Sequence, residues 1–593
     1  MGGAVRAKID LAIVGGGIAG LYVAARLAAR GDGHGRDIAL FEASPELGGR
    51  IRSVTVPHAA EFPAELGAMR VPRSHKIAEG LLRHHFDQSE LIPFASEDGL
   101  WHLREKRSTR LSPILRARYG FSKAQAAAGP GGLLKNVLLS ALRETRIVME
   151  PNRKVEADDV YHKLTRLVKM GGTPISLLTP PDWVVFKRHA VLETKGVKKR
   201  LCDIGFWNLM HHYMEAAEYQ VVHDAFGYES IVSNWNAAEA IPWFLKDFGV
   251  EYVTPAAGMT RLTESIVSEL VRRRDPDCVH RGMRAVEVVP ERDGFQLTLE
   301  NIENKSDLKR VFAREVVLAL PKTALMRLGV FEGRAWLDRA RKHRVDLGSI
   351  RAHLDSVSEH ALFKLFLVFD EPWWREPTSL KALKRRVEQQ YPGMGARARI
   401  GWRAITDEPL RQIYHFAVPK RTGGGHLGVV MASYSDEHYS DFWRPLARKV
   451  EARGVPGKPF CTMARLSELE RIDLEIWGAP EGLVRKALGQ LRSVHGLRTI
   501  PEPLVAYAKD WNDPFTHCGW HTWNPGARSH SILQSLRCPI RGVYICGEAY
   551  STEQGWIEGA LKSAELVLMS MGLDPPRWLG EHTRQSLEAY CLA

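Results

Sequence analysis

The residues Gly15, Gly17 and Gly20 stand in a glycine pattern, GGGIAG, between an apolar run, IDLAIV, and an alanine-rich one, IAGLYVAARLAAR. Glycines spaced in this way suit a pyrophosphate. The first allows a tight turn, the second lets backbone approach the ligand, and the third lets a helix pack closely on a strand. Glu42, in DIALFEA, lies where a carboxylate accepts hydrogen bonds from ribose hydroxyls. Gly48, Gly49 and Arg50 follow at once in EASPELGGRIRS. An arginine there pairs with a pyrophosphate or holds a loop over the cofactor, and this sequel favours a flavin over a nicotinamide. Near the other end of the chain, GEAYSTEQGWIEGALKSAE opens on Gly547 and Glu548 and passes through Gly555, Trp556 and Ile557 into a helical pattern. A helix start presents free N–H groups and the positive end of a dipole to an anionic or electron-rich ligand. Lys364 interrupts the apolar run FKLFLVF, and a break of that kind marks either a site or a buried ion pair.

These residues need particular elements to hold them. The first fifty residues read as strand, glycine turn, helix and strand, the opening unit of a doubly wound parallel sheet. From about residue 73 to 240 helical periodicity dominates, and KAQAAAGPGG within it reads as a loop or flexible insertion. Strand patterns return with HRGMRAVEVVPERDGFQLTLEN, REVVLALP, HALFKLFLVFDEPWW and GHLGVVMASYSD. The segment from ELERIDLEIW to VRKALGQLRS is helical, and the last fifty residues return to strand and helix. First and last segments therefore belong to one domain, with a second inserted between them.

At 593 residues the chain exceeds a single core. Its 82 basic residues against 69 acidic ones give a formal charge of +13, but the cations are scattered among acids and not interleaved with aromatics. That excludes a nucleic-acid surface and leaves a field that attracts small anions. The seven cysteines have no CxxC or zinc-type spacing, so reduced, buried thiols and no metal site are expected. The N-terminal MGGAVRAKIDLAIVGGG has no apolar signal region, and Arg6 occupies the position where a myristoylation motif carries Ser or Thr. No run reaches membrane-spanning length. A cytoplasmic protein is expected.

Several separated motifs, VGGGIAGLYVAARL, FEASPELGGRI, AELGAMRVP, VTPAAGMTRL, VVLALPKTAL, FKLFLVFDEPWW and GEAYSTEQGWIEGALKSAE, together resemble the flavin-containing amine oxidase superfamily, and within it the L-amino-acid oxidases. The resemblance runs from Ile9 to about Gly572 and is weak between residues 95 and 200. It implies a doubly wound, Rossmann-like FAD-binding α/β domain interleaved with a mixed-sheet substrate domain and a helical insertion. On that pattern residues 1–72, 251–330 and 501–593 form the FAD-binding domain. Residues 73–250 form the insertion with part of the substrate domain, and residues 331–500 the rest of it.

The resemblance also implies roles. Gly67, Ala68, Met69, Gly547 and Gly555 join the residues against FAD, and Glu548 lies near its ribityl–pyrophosphate region. The helix after Gly555 points its N-terminus at the flavin pyrimidine, with Ile557 in its first turn and Trp556 as one wall of the substrate pocket. Arg70 clamps a substrate carboxylate, a role for which the planar guanidinium fork is suited; Glu61 and Glu65 offer it an ion pair instead. Lys364 holds a water at the flavin and assists reaction with oxygen. In DWNDPFTHCGWHTW, Trp520 falls on the second aromatic wall, and Gly519 stands where covalent relatives carry a cysteine, so FAD is expected to be non-covalent.

The implied reaction is oxidation of an L-amino acid to the 2-oxo acid, ammonia and hydrogen peroxide, with no metal and no compelling general base; His517 and His521 are the candidates. Alternatives are an amino-acid 2-monooxygenase giving amide and carbon dioxide, an amine or polyamine oxidase, and a flavin-holding protein without turnover. SNWNAAEAIPWF is common to oxidases and monooxygenases, and GEAYS is closer to the oxidases. Glu229 or Asp224 near the pocket would favour a cationic side chain, the other reading being two surface acids on the insertion. The implied partners are an amino acid and oxygen, in a homo-oligomer of two or more chains. AAAGPGG could also be a processing site.

Overall fold

The computed structural model describes residues 7–29, 36–59, 62–150, 153–172, 174–194, 196–247, 250–274, 276–395, 397–447 and 458–592. Residues 1–6, read above for targeting motifs, lie outside them.

A seven-stranded sheet gathers both ends of the chain. The strand Lys8–Val14 lies between Ile38–Glu42 and Leu308–Leu318, parallel to both, and Val279–Arg281 extends the sheet beyond Ile38–Glu42. Val543–Ile545 adds to Leu308–Leu318 in parallel, while Phe295–Asn301 and Met283–Pro290 continue from it as an antiparallel meander. Leu11, Ala12 and Ile13 are fully buried, as an apolar run covered on both faces must be. The helix Ile18–Ala28 buries nine of its eleven residues and packs against the helices Thr260–Arg273 and Ile557–Ser570. Gly20 lets the helix lie close on the turn before it: a Cβ there would be 2.0 Å from the Gly15 carbonyl oxygen.

The second sheet has nine strands, in the order Val505–Asp510, Leu362–Phe369, His426–Asp436, Gln412–Pro419, Arg399–Thr406, Leu91–Leu103, Tyr252–Pro255 and Val71–Pro72, with Lys106–Ser108 on Leu91–Leu103. Strands between residues 362 and 436 are thus joined in one sheet by strands from three other parts of the chain, near residues 71–108, 252–255 and 505–510. The expectation of a helical stretch from residue 73 misses Leu91–Leu103. Its Pro93, Glu97, Asp98 and Gly99 break the apolar alternation, and the strand is stabilised by ladders on both sides rather than by its own pattern.

The insertion contains helices at Leu111–Arg118, Lys123–Arg143, Lys154–Lys169, Pro180–His189, Phe206–Tyr213, Ala216–Phe226 and Ala237–Asp247 beside a three-stranded sheet. KAQAAAGPGG is not a loop but the first half of Lys123–Arg143. Ser122 caps it by accepting the Gln125 N–H, and the chain breaks only at Gly129, with φ 61° and ψ −178°. Pro130 then begins a new helical run, where its missing N–H removes no hydrogen bond, and the stripe Leu134, Val137, Leu138 and Ala141 buries it in the insertion core.

Candidate active site

A cavity of about 1250 Å³ passes from the glycine turn of the first sheet to the strands of the second. At the first end Gly15 has φ +106°, and a Cβ there would sit 2.4 Å from the Ala319 carbonyl oxygen. On Gly17 a Cβ would meet nothing closer than Gly49 Cα at 4.0 Å, so its backbone is open to the cavity. The helix that Gly17 begins has no side-chain cap, and its first N–H groups face the same space as Ile18 and Ala19. Glu42 accepts the N–H groups of Gly16 (2.6 Å) and Ser44 (2.7 Å). Burial raises its pKa against the pull of those donors, and further hydroxyl donors would suit the remaining lone pairs.

Glu548 joins three parts of the cavity wall. Its Oε1 accepts the backbone N–H of His521 (3.0 Å) and of Gly555 (2.6 Å). Its Oε2 accepts Arg50 Nη1 (2.7 Å) and His521 Nδ1 (2.8 Å). His521 and Gly555 directly follow and precede Trp520 and Trp556, so one carboxylate fixes both indoles and the Arg50 turn. Despite burial, Arg50, His521 and these backbone donors hold Glu548 well below the usual carboxylate range. Gly555, at φ +83°, lets the two walls meet: its Cβ would lie 2.7 Å from Trp520 Cε3. Arg50 also donates to the Gly519 carbonyl at 3.1 Å.

Arg70, Lys364, Trp520 and Trp556 all line the cavity. Arg70 lies 4.1 Å from the Tyr252 ring centroid and 5.2 Å from that of Phe94. Its guanidinium makes no hydrogen bond or ion pair among the described residues. Glu65 is committed elsewhere, to Arg399 (3.6 Å), Ser53 (2.7 Å) and the Met259 N–H (2.9 Å); Glu61 lies outside the described residues. Burial lowers the Arg70 pKa but the neighbouring Tyr414, Tyr252 and Tyr228 raise it, and the net shift is upward. Lys364 donates to the carbonyls of Gly67 (2.6 Å) and Glu65 (3.1 Å). Burial, opposed by Glu65 and assisted by Arg70, brings it down to about 7. Trp520 Nε1 donates to Ser230 Oγ at 3.3 Å, while Trp556 meets the His75 ring edge-on at 5.1 Å.

Gly67, Ala68, Met69, Gly547 and Ile557 also line the cavity. Glu229 and Asp224 do not. Glu229 turns its carboxylate to His438 and donates its N–H to Asp436 at 2.9 Å. Asp224 is buried, not a surface acid, and accepts Tyr119 (2.6 Å), Gln220 (2.7 Å) and His223 (3.0 Å). His517 reaches the cavity, whereas His521 stands behind its wall. Buried thiols were expected, yet Cys538 is exposed and Cys461 half-buried.

The sequence reading missed Tyr228, Tyr252, Tyr434 and Trp243, which line the cavity; the first three form an aromatic cage around Arg70, while Trp243 stands against Trp520. Tyr252 directly precedes VTPAAGMTRL and could have been included with it. Tyr434 could not: it meets Lys364 only through the antiparallel register of two strands separated by about seventy residues. The acids of the cage are already paired, Asp98 with Arg403 at 2.7 Å and Asp436 with Glu229 and Ser230. The arrangement can hold a planar anion on Arg70 and an apolar body between indoles.

The sequence model for flavin-containing amine oxidoreductases matches residues 18–567. Aplysianin-A of Aplysia kurodai is 24% identical over 94% of this chain and 89% of its own. Achacin of Lissachatina fulica is 23% identical over 94% of this chain and 92% of its own. An L-amino-acid oxidase of Sistrurus catenatus edwardsii is 22% identical, covering 93% and 84%. Among solved structures, a putrescine oxidase bound to putrescine superposes with a TM-score of 0.54 at 15% identity, over 95% of this chain and 99% of that one.

Proposed function

The chain belongs to the flavin-containing amine oxidoreductase family, and from that premise we propose that it converts L-amino acids and oxygen to 2-oxo acids, ammonia and hydrogen peroxide. Its cofactor is FAD, and the cavity suits it: an open Gly17, an uncapped helix start and the Glu42 carboxylate lie at one end, and a second uncapped helix start, after Trp556, lies at the other. When bound, FAD supplies the acceptor for the Cα hydride and the carrier of that electron pair to oxygen. Non-covalent binding is supported by Gly519 at the cavity wall and by Cys518, which is buried against His521 and is not part of the lining.

In this reading Arg70 grips the substrate carboxylate with two parallel hydrogen bonds, and Trp520 and Trp556 confine the amine between them. Tyr252 supports the guanidinium face. Fixing the carboxylate and confining the amine leaves Cα a single orientation, which supplies much of the rate enhancement. Lys364, with two N–H bonds on carbonyls, has its third position for a water in the cavity and brings positive charge to where oxygen is reduced. The helix start after Trp556 favours the negative charge that a reduced flavin carries. Because Asp98 and Asp436 are already paired, apolar and aromatic side chains are preferred over those of Lys and Arg.

The observation that carries this reading is the guanidinium of Arg70, unpaired among the described residues and inside an aromatic cage, which simple amines do not need. Its test is a panel of L-amino acids and simple amines, with peroxide, ammonia and carbon dioxide measured together. Peroxide and ammonia from L-Phe or L-Leu without carbon dioxide are expected. Turnover of amines alone would show that Arg70 binds no carboxylate, and carbon dioxide with amide would make the enzyme a monooxygenase.

A further inference from the structure

Behind the Trp520 wall lies a buried cluster that the oxidation does not use. Cys518 Sγ is 3.5 Å from His521 Nε2, and the same nitrogen is 3.6 Å from Glu359 Oε1. The three ligand atoms all lie within 4.8 Å of one another. A tetrahedral zinc, ~2.3 Å from sulfur and ~2.0 Å from nitrogen, sets those two atoms about 3.5 Å apart. His521 Nδ1 is anchored on the Glu548 carboxylate at 2.8 Å, the outer contact that orients a metal-bound imidazole through its other nitrogen. Glu359 is itself held, its Oε1 accepting the Thr323 N–H at 2.9 Å. Both Cys518 and His521 are buried, and they stand in a Cys-x-x-His spacing.

We propose that Cys518, His521 and Glu359 bind a zinc-type divalent cation, with a water completing the tetrahedron. Thiolate, neutral imidazole and carboxylate are the ligand set for a borderline-soft metal. The charges close: the thiolate and Glu359 balance the cation, and Glu548 is balanced by Arg50. Glu359 lies on the strand Val357–His360 and His521 on Trp520–Trp523, which pair with each other. The metal therefore clips the two strands together and holds Trp520 in place from behind. Such a site was not expected from the sequence, because the third ligand lies 159 residues before the Cys-x-x-His pair, a span given by positions 359 and 518.

A second cluster, His84, His85 and Glu269, sits at the surface and could take up zinc on its own account. The experiment therefore measures metal on the yellow holoenzyme by elemental analysis and native mass spectrometry, beside the double variant His84→Ala/His85→Ala. One zinc per chain is expected in both, reduced at least about tenfold in Cys518→Ser, as loss of a ligand should produce. If Cys518→Ser does not fold, the wild-type protein decides: an organomercurial should release zinc to a chromophoric chelator only after the exposed Cys538 has reacted. Trace metal in protein purified without chelator and then offered zinc overturns the proposal and leaves His521 as an imidazolium between Glu359 and Glu548. So does zinc that disappears with His84 and His85. Neither result decides the amine-oxidation reading, which is tested separately by substrate and product and has none of the three ligands touching the substrate.

Discussion

Among the described residues no carboxylate pairs with the Arg70 guanidinium, which faces the cavity while Glu65 is taken by Arg399. Losing a bidentate, charge-assisted pair costs about 3 kcal/mol, or about 100-fold. Arg70→Ala should therefore lower kcat/KM for an L-amino acid by about that factor, mainly through KM, and leave any residual turnover of simple amines unchanged; steady-state kinetics on both substrate classes check this. Lys364 gives a prediction with a sign. Its pKa is brought down to about 7, so the ammonium is present below that pH and lost above it. The rate of oxygen reduction should fall as pH rises through about 7. Lys364→Met should remove that titration and slow the step by about 100-fold, the usual loss for one charge-stabilising donor; stopped-flow reaction of reduced enzyme with oxygen across pH measures both.

At the scale of elements, two glycines with positive φ make a matched pair. Gly555 precedes the helix Ile557–Ser570, and its Cβ would strike Trp520 at 2.7 Å. Gly129 interrupts Lys123–Arg143 with nothing within 4 Å of a Cβ. Gly129→Ala should cost only backbone strain, about 1–2 kcal/mol of stability, with turnover intact. Gly555→Ala should cost a similar amount and in addition displace a wall, so that kcat/KM falls by well over tenfold. Denaturant melts beside kinetics distinguish the two. The same elements show what pattern reading can do. The turns at Gly15–Gly20 and at Gly555 were legible because a positive φ or close approach leaves glycine little competition. The strand Leu91–Leu103 was not, since its stability comes from neighbours at Arg399–Thr406 and Tyr252–Pro255. The helix across Gly129 was misread because the Gly-Pro break is local while the Leu stripe on its far side continues.

For the whole molecule the consequence is cooperation. Strands from residues 8–14, 308–318 and 543–545 share one sheet, and the cavity is walled by both sheets and the insertion. A cofactor that fills it should stabilise every part together, by about 4 kcal/mol when present at a thousand times its Kd. Acid precipitation should release free FAD into the supernatant. Deflavinated protein should unfold at a lower temperature, and added FAD should restore the transition in calorimetry; a melting point indifferent to flavin would mean that the cavity is not its site.

By itself the sequence determined the turn Gly15–Gly20, Glu42, the helix start at Gly555–Ile557, Arg70 and Lys364, and with them the flavin amine oxidoreductase fold. Apart from Arg70, which came with the resemblance of AELGAMRVP, each of these depends on local constraints, a φ angle, a helix end or a charge breaking an apolar run, and such constraints are written within a few residues. Only tertiary structure decided that Glu65 pairs with Arg399 rather than Arg70, that Glu229 turns away to His438, that Tyr434 stands beside Lys364, and that Glu359 meets Cys518 and His521. Those facts depend on strand register and on competition for partners between residues far apart in the chain, and a register is fixed by the packing of the whole sheet.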